Sequence, residues 1–186
     1  PDSVSFSKSL SEDLCRRDFT INAMAYSHKK GIVDLYKGQE DLNSGIIRAV
    51  GDPNKRFDED ALRMLRAIRF SAQLGFEIEK DTFVAIKDKA SLLSNVSKER
   101  ICVELNKSLN GDFAQNIKMV YTSGLYRYIG KEFAKLDKSI YDFYPRKFPN
   151  KKHMYWAAFL ENIDNVEAVK KILFELKSDN ATRNNT

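Results

Sequence analysis

The stretch from Arg56 to Phe70 constrains this chain more than any other, because it alternates an apolar arc with a charged one at helical spacing. At roughly 100° per residue, Ala61, Met64, Leu65, Ile68 and Ala72 share one side, while Glu59, Arg63 and Arg66 lie on another, flanked by Asp60 and Arg69. The pattern predicts one amphipathic helix, capped by Asp58 and ended near Gly75, the usual glycine position after a helix. Its apolar arc needs other helices to pack against. The charged arc has two readings. Taken alone, an E-x-x-x-R pattern is most often a solvated ion-pair face. The same acids and arginines can also form a surface that binds an anionic ligand.

The rest of the chain narrows the choice. With 186 residues and 42% hydrophobic content it can bury a sizeable core, as one large domain or two small ones. No apolar run approaches the ~20 residues that span a bilayer, and no signal peptide is legible at the N-terminus. A soluble, cytoplasmic protein is expected, without a membrane. Cys15 and Cys102 lack C-x-x-C spacing and a neighbouring histidine, so both read as reduced and structural and no metal site is expected among these residues. With only two histidines, chemistry resting on several imidazoles is excluded, leaving carboxylates and arginines. The net charge of +5 is concentrated between Arg127 and Lys152, where eight basic residues face three acidic ones and aromatic residues are interleaved. That composition suits RNA, and it equally suits core aromatics under a solvated basic surface.

Along the chain, Pro1 to Phe6 alternates like the end of a strand, and Ser11 can cap a short helix through Arg17. Phe19 to Tyr26 is ambiguous between helix and strand. Ile32 to Tyr36 reads as a strand, Gln39 to Asn43 as a brief helix and Ile46 to Val50 as a strand. Beyond the Gly51-Asp52-Pro53 turn everything is helical, with helices expected over 79–92, 97–109, 113–123, 154–162 and 165–177. The expected fold is mostly α: a remnant of a small β-sheet followed by an all-helical remainder. The start without methionine and the polar tail over 178–186 lead us to expect a chain cut at both ends.

Four ordered segments carry the chemistry. Arg16-Arg17-Asp18-Phe19-Thr20-Ile21-Asn22-Ala23 supplies two guanidiniums, a carboxylate and an amide, groups that bind phosphate and ribose hydroxyls. Asp34-Leu35-Tyr36-Lys37-Gly38 and Ile47-Arg48-Ala49-Val50-Gly51-Asp52 follow, then Glu59-Asp60-Ala61-Leu62-Arg63. With Ser97-Lys98-Glu99-Arg100-Ile101 and Glu104 further on, the chain from Pro1 to about Leu109 resembles the class II tRNA nucleotidyltransferases, the bacterial CCA-adding enzymes and their poly(A) polymerase relatives. Beyond Gly111 the resemblance is weaker.

The resemblance implies three parts: residues 1–52 as the C-terminal part of a nucleotidyltransferase head, 53–110 as a helical neck that reads the nucleotide, and 111–186 as a partial helical body. It implies transfer of C and A from CTP and ATP to the 3′ end of tRNA, with Mg²⁺ held by carboxylates. Those carboxylates lie, in the family, in an upstream segment with a glycine loop and a D-x-D pair, so they are expected before Pro1 and this part alone is expected to be inactive. Asp58-Glu59-Asp60 has the D-x-D spelling, but on one helix its aspartates would point roughly 200° apart and could not share a metal. Arg17, Asp60, Arg63, Arg66 and Arg69 match the family's nucleotide-binding positions. Arg16, Asp18, Asn22 and Glu59 are weaker candidates for contact or support, and Glu99, Arg100 and Glu104 are expected to brace the arginine helix by pairing with its arginines. Hydrogen bonding gives the role of Asp60 and Arg63 an independent basis. Cytosine and adenine each place an amino donor beside a ring acceptor, which suits an acid next to an arginine, while uracil and guanine reverse that order. The alternatives are a non-catalytic RNA-binding helical module, a poly(A) polymerase, or a relative adding only CC or only A. Oligomeric state is open.

Overall fold

In the computed structural model, which describes residues 9–108, 112–135, 152–160, 163 and 165–186, the arginine-rich stretch is two helices rather than one. Helix α3 (Pro53–Glu59) is started by Asp52, whose carboxylate accepts the Asn54 N–H, with proline in its first turn. Helix α4 (Leu62–Leu74) follows. Between them Asp60 is extended, at φ −153° and ψ 103°. Its own N–H closes α3 on Arg56 O, while its Oδ1 accepts the Leu62 N–H at 3.1 Å and so caps α4. The single-helix expectation failed because periodicity carried the apolar arc across a residue whose carboxylate competes for backbone donors. Gly75, at φ 70°, ends α4 as expected, its N–H bonded to Ser71 O.

Before this pair lie α1 (Leu10–Cys15), a 3-10 turn at Thr20–Asn22, β1 (Met24–Ser27), β2 (Gly31–Asp34), α2 (Gly38–Ser44) and β3 (Ile46–Ile47). β1 and β2 form an antiparallel hairpin that runs from Met24 opposite Asp34 to Ser27 opposite Gly31. The strand expected over 46–50 is shorter, but Phe19 and Ala49 form a bridge, with Thr20 N bonded to Arg48 O and Val50 N to Asp18 O. β3 also pairs in parallel with β4 (Glu77–Ile78), an element the sequence reading lacked because two residues carry no period. Parallel strands need a long crossover. Here α3 and α4 supply it, so the boundary expected at 52/53 is bridged by backbone hydrogen bonds. The strand expected at Pro1–Phe6 lies outside the described residues.

The remainder is helical: α5 (Lys80–Lys89), a 3-10 segment at Ala90–Asn95, α6 (Lys98–Ser108), α7 (Phe113–Thr122), α8 (Tyr126–Ile129), a 3-10 turn at Phe133–Lys135, α9 (Lys152–Leu160), α10 (Val166–Glu175) and α11 (Asn180–Asn185). The short α8 and the terminal α11 were not anticipated. α11 forms because Asp179 accepts the Thr182 N–H as its cap. Most of the basic and aromatic segment over 127–152 lies outside the described residues, but Phe133 is in the core and Tyr128 packs against it. Phe57, Met64, Ile68, Ile86, Leu93 and Ile101 are fully buried in the same cluster. Among the described residues no helix is long and apolar enough to cross a membrane.

One close approach fixes the turn that carries Asp18 and Asn22. A Cβ on Gly38 would lie 2.3 Å from Thr20 O, and nearby Thr20 Oγ1 donates to Asp41 at 2.7 Å. Gly38→Ala should therefore push α2 off the turn and lower stability by about 1–3 kcal/mol, as overpacking does, read in urea unfolding of the two proteins.

Candidate nucleotide-binding cleft

Three parts of the chain meet at one cleft of about 580 Å³: the segment after α1, the α3–α4 break with the exposed side of α4, and the first turn of α6. Arg16, Arg17, Asp18, Asn22, Asp60, Leu62, Arg63, Arg66, Phe70 and Arg100 line it. Five arginines against two aspartates make an anion-attracting surface. Arg16 and Arg17 are half exposed and both reach Asp13 at 2.7 Å. Hydrogen bonds from Arg17 and then Arg16 hold the Asp13 carboxyl below its usual range.

Asp18 is buried and organises the turn around it. Its Oδ1 accepts the Phe19 N–H at 2.9 Å and Asn22 Nδ2 at 3.1 Å, while Oδ2 takes both Nε and a terminal nitrogen of Arg66. Arg66 is thus aimed across the cleft by a two-point contact. Phe70, one turn on, stands edge-on to Phe19 with ring centres 5.8 Å apart and carries the guanidiniums of Arg66 and Arg69 over its ring at 5.3 and 4.1 Å.

Asp60 and Arg63 share the cleft without an ion pair between them. Arg63 donates to Glu59 at 2.8 Å, Arg56 O at 3.2 Å and Arg16 O at 2.8 Å, while Arg100 donates to Asp60 Oδ2 at 2.7 Å. A guanidinium has five N–H donors and a carboxylate about four lone-pair sites, so both groups keep capacity for a ligand. The acid and the base are held in place by third parties and do not neutralise each other.

The remaining candidates sit elsewhere. Arg69 does not line the cleft: it turns into the α4–α6 interface, where its Nε pairs with buried Glu104. Glu59 lies outside the cleft and anchors Arg56 and Arg63. Glu104 pairs with α4 as expected of a brace, but Glu99 pairs with Lys177, whose hydrogen bond lowers its carboxyl from the ordinary value. Arg100, expected to meet the arginines, meets Asp60 instead, since like charges do not pair. Phe70 and Leu62 were missed as lining residues. Phe70 is legible at helical spacing, seven residues after Arg63 and four after Arg66.

The D-x-D spelling is divided between separate partners: Asp58 holds Lys89 at 2.8 Å and Asp60 holds Arg100. No group of three or more His, Cys, Asp or Glu among the described residues could hold a metal ion. Held by separate cations, Asp58 and Asp60 do not make a shared metal site.

Comparison with known proteins shows what the chain as a whole is similar to. Residues 1–48 match the family described as Poly A polymerase head domain, and residues 75–136 match the probable RNA- and SrmB-binding site of polymerase A. The CCA-adding enzyme of Leuconostoc mesenteroides is 52% identical over 130 residues, 69% of this chain and 32% of the relative. That of Streptococcus sanguinis is 42% identical over 182 residues, 96% of this chain and 45% of the relative. The crystal structure of Bacillus stearothermophilus CCA-adding enzyme in complex with CTP superposes with a TM-score of 0.85 at 34% identity, covering 97% of this chain and 46% of the other. The chain spans from 32% to 46% of the length of these relatives.

Proposed function

The chain belongs to the class II tRNA nucleotidyltransferase family, and from that premise we propose that it is the nucleotide-selecting part of an enzyme that adds C and A to the 3′ end of tRNA from CTP and ATP. The observation that carries this reading is the pairing of Asp60 and Arg63 in one cleft, each fixed by other residues and each with spare hydrogen-bonding capacity. Asp60 accepts from the exocyclic amino group of cytosine or adenine, and Arg63 donates to the adjacent ring nitrogen. Uracil or guanine would turn a carbonyl toward the carboxylate and a ring N–H toward the guanidinium, leaving polar groups unpaired at about 1–3 kcal/mol each. Arg16, Arg17 and Arg66 supply charge for the triphosphate, and Asp18 and Asn22 hold that side of the cleft.

In this reading residues 1–52, 53–110 and 111–186 are head, neck and partial body, and the β3–β4 pairing fastens head to neck. The proposed substrates put its work in the cytoplasm. Magnesium is part of the family's reaction, but base selection here uses only this chain's side chains. Titration calorimetry of the full-length protein with the four nucleoside triphosphates tests the reading. CTP and ATP should bind at least tenfold tighter than UTP and GTP, and Asp60→Ala should erase the difference. Equal binding of all four, with affinity for RNA falling steeply with salt whatever its sequence, would mark a phosphate-gripping RNA module instead.

A further inference from the structure

The neck's α6 presents two charged residues, Arg100 and Glu104, on one side, one turn apart. Glu104 is 2% exposed and pairs with Arg69 of α4. That buried contact, with Ile101 and Leu105 packed in the core beside it, fixes the register of α6 against α4. One turn earlier, the same register delivers Arg100 to the α3–α4 break, where its terminal nitrogen reaches Asp60 Oδ2 at 2.7 Å.

The Arg100–Asp60 pair has the wrong character for a stabilising brace. Its side chains are 52% and 32% exposed, and pairs that open to water add little to stability. Its position is more informative, since Arg100 lines the cleft that Asp60 faces. Asp60 lies outside helical geometry, so no helix interior restrains its side chain. Two contacts hold the carboxylate: the Leu62 N–H on Oδ1 and Arg100 on Oδ2. Together they fix both the plane of the group and which lone pairs face the cleft. Without Arg100, one contact remains and the carboxylate can turn about it.

We infer that Arg100 is a positioning residue for base discrimination, setting the orientation of the Asp60 carboxylate so that it accepts from an amino-bearing base edge. This rests on the base-selecting role proposed above for Asp60. A turning carboxylate still offers acceptors to cytosine, but it no longer places a fixed acceptor against the uracil carbonyl, so discrimination suffers more than binding.

The test compares Arg100→Met, Arg100→Lys and Asp60→Ala in the full-length protein, measuring kcat/KM for CTP and for UTP on tRNA lacking its 3′ end, with thermal unfolding of each variant alongside. Arg100→Met should unfold within a few degrees of the parent and lose on the order of tenfold in the CTP-to-UTP ratio. Arg100→Lys should keep most of that ratio, because the observed contact is a single hydrogen bond that an ammonium can replace. An unchanged ratio in Arg100→Met overturns the inference. So does an equal rise in KM for both nucleotides, which would make Arg100 a phosphate contact, or a Lys variant as unselective as the Met variant. If Asp60→Ala abolishes selectivity and Arg100→Met does not, the inference fails and the reading of Asp60 stands. If neither variant changes the ratio, both fall.

Discussion

Replacing Arg63 with alanine is expected to lower the kcat/KM for CTP and ATP by about a hundredfold. The guanidinium is mostly buried, at 16% side-chain exposure, and serves two sides at once. Toward the ligand, in the proposed reading, it is the donor for the base's ring acceptor. Toward the protein it ties Glu59, Arg56 O and Arg16 O together across three parts of the chain. Hydrogen bonds involving charged groups contribute roughly 1.5–3 kcal/mol each, so losing about 3 kcal/mol of base and positioning contacts amounts to about two powers of ten. The Arg16 carbonyl also loses its anchor to α4, so the double-arginine segment should loosen and KM should rise with the fall in kcat. Steady-state kinetics of the full-length protein on tRNA lacking its 3′ end would show it. A decrease of only a few-fold would mean that Arg63 serves the ion pair with Glu59 and the two carbonyl contacts without reading the base.

The second large effect is on stability. Glu104→Ala should destabilise the protein by about 3–5 kcal/mol, because it leaves Arg69 charged and almost enclosed with no carboxylate to balance it, only the Gln73 side-chain oxygen at 3.2 Å and the Phe70 ring. The Arg69 side chain is 11% exposed and the Glu104 side chain 3%. Urea unfolding followed by circular dichroism gives the difference directly. The double variant Arg69→Met with Glu104→Leu should recover most of the loss, since apolar side chains of similar volume can replace a buried pair at little cost. If the single variant costs under 1 kcal/mol, the pair is not enclosed as described and α6 is held by apolar contacts alone.

These cases show what spacing in the sequence conveys and where it stops. The apolar arc of α4 was legible because Met64, Leu65 and Ile68 repeat at helical intervals, and all three are buried. The same periodicity hid the break at Asp60, which depends on a side chain capping the next helix and not on the period. Arg66 and Arg69 sit three residues apart and read as equivalent. They separate in the structure because each follows its own acid, Arg66 to Asp18 some forty-eight residues away and Arg69 to Glu104 on α6. Spacing gives the side of a helix on which a residue lies, while the partner that orients it comes from elsewhere in the chain. Arg100 is the sharpest instance. Its place in a bracing segment was read from sequence, but its approach to Asp60 follows from the packing of α6 on α4. β4 was illegible because its two residues gain their strand identity only from pairing with β3.

In the proposed reading Asp60 and Arg63 together choose the base. Its most direct test is the CTP-to-UTP ratio measured by competition, with both nucleotides offered together to the full-length protein and to its Asp60→Ala variant on the same tRNA. The parent should show a ratio of at least ten, from one mismatched hydrogen bond or more, and the variant a ratio near one. A variant as selective as its parent would contradict that reading.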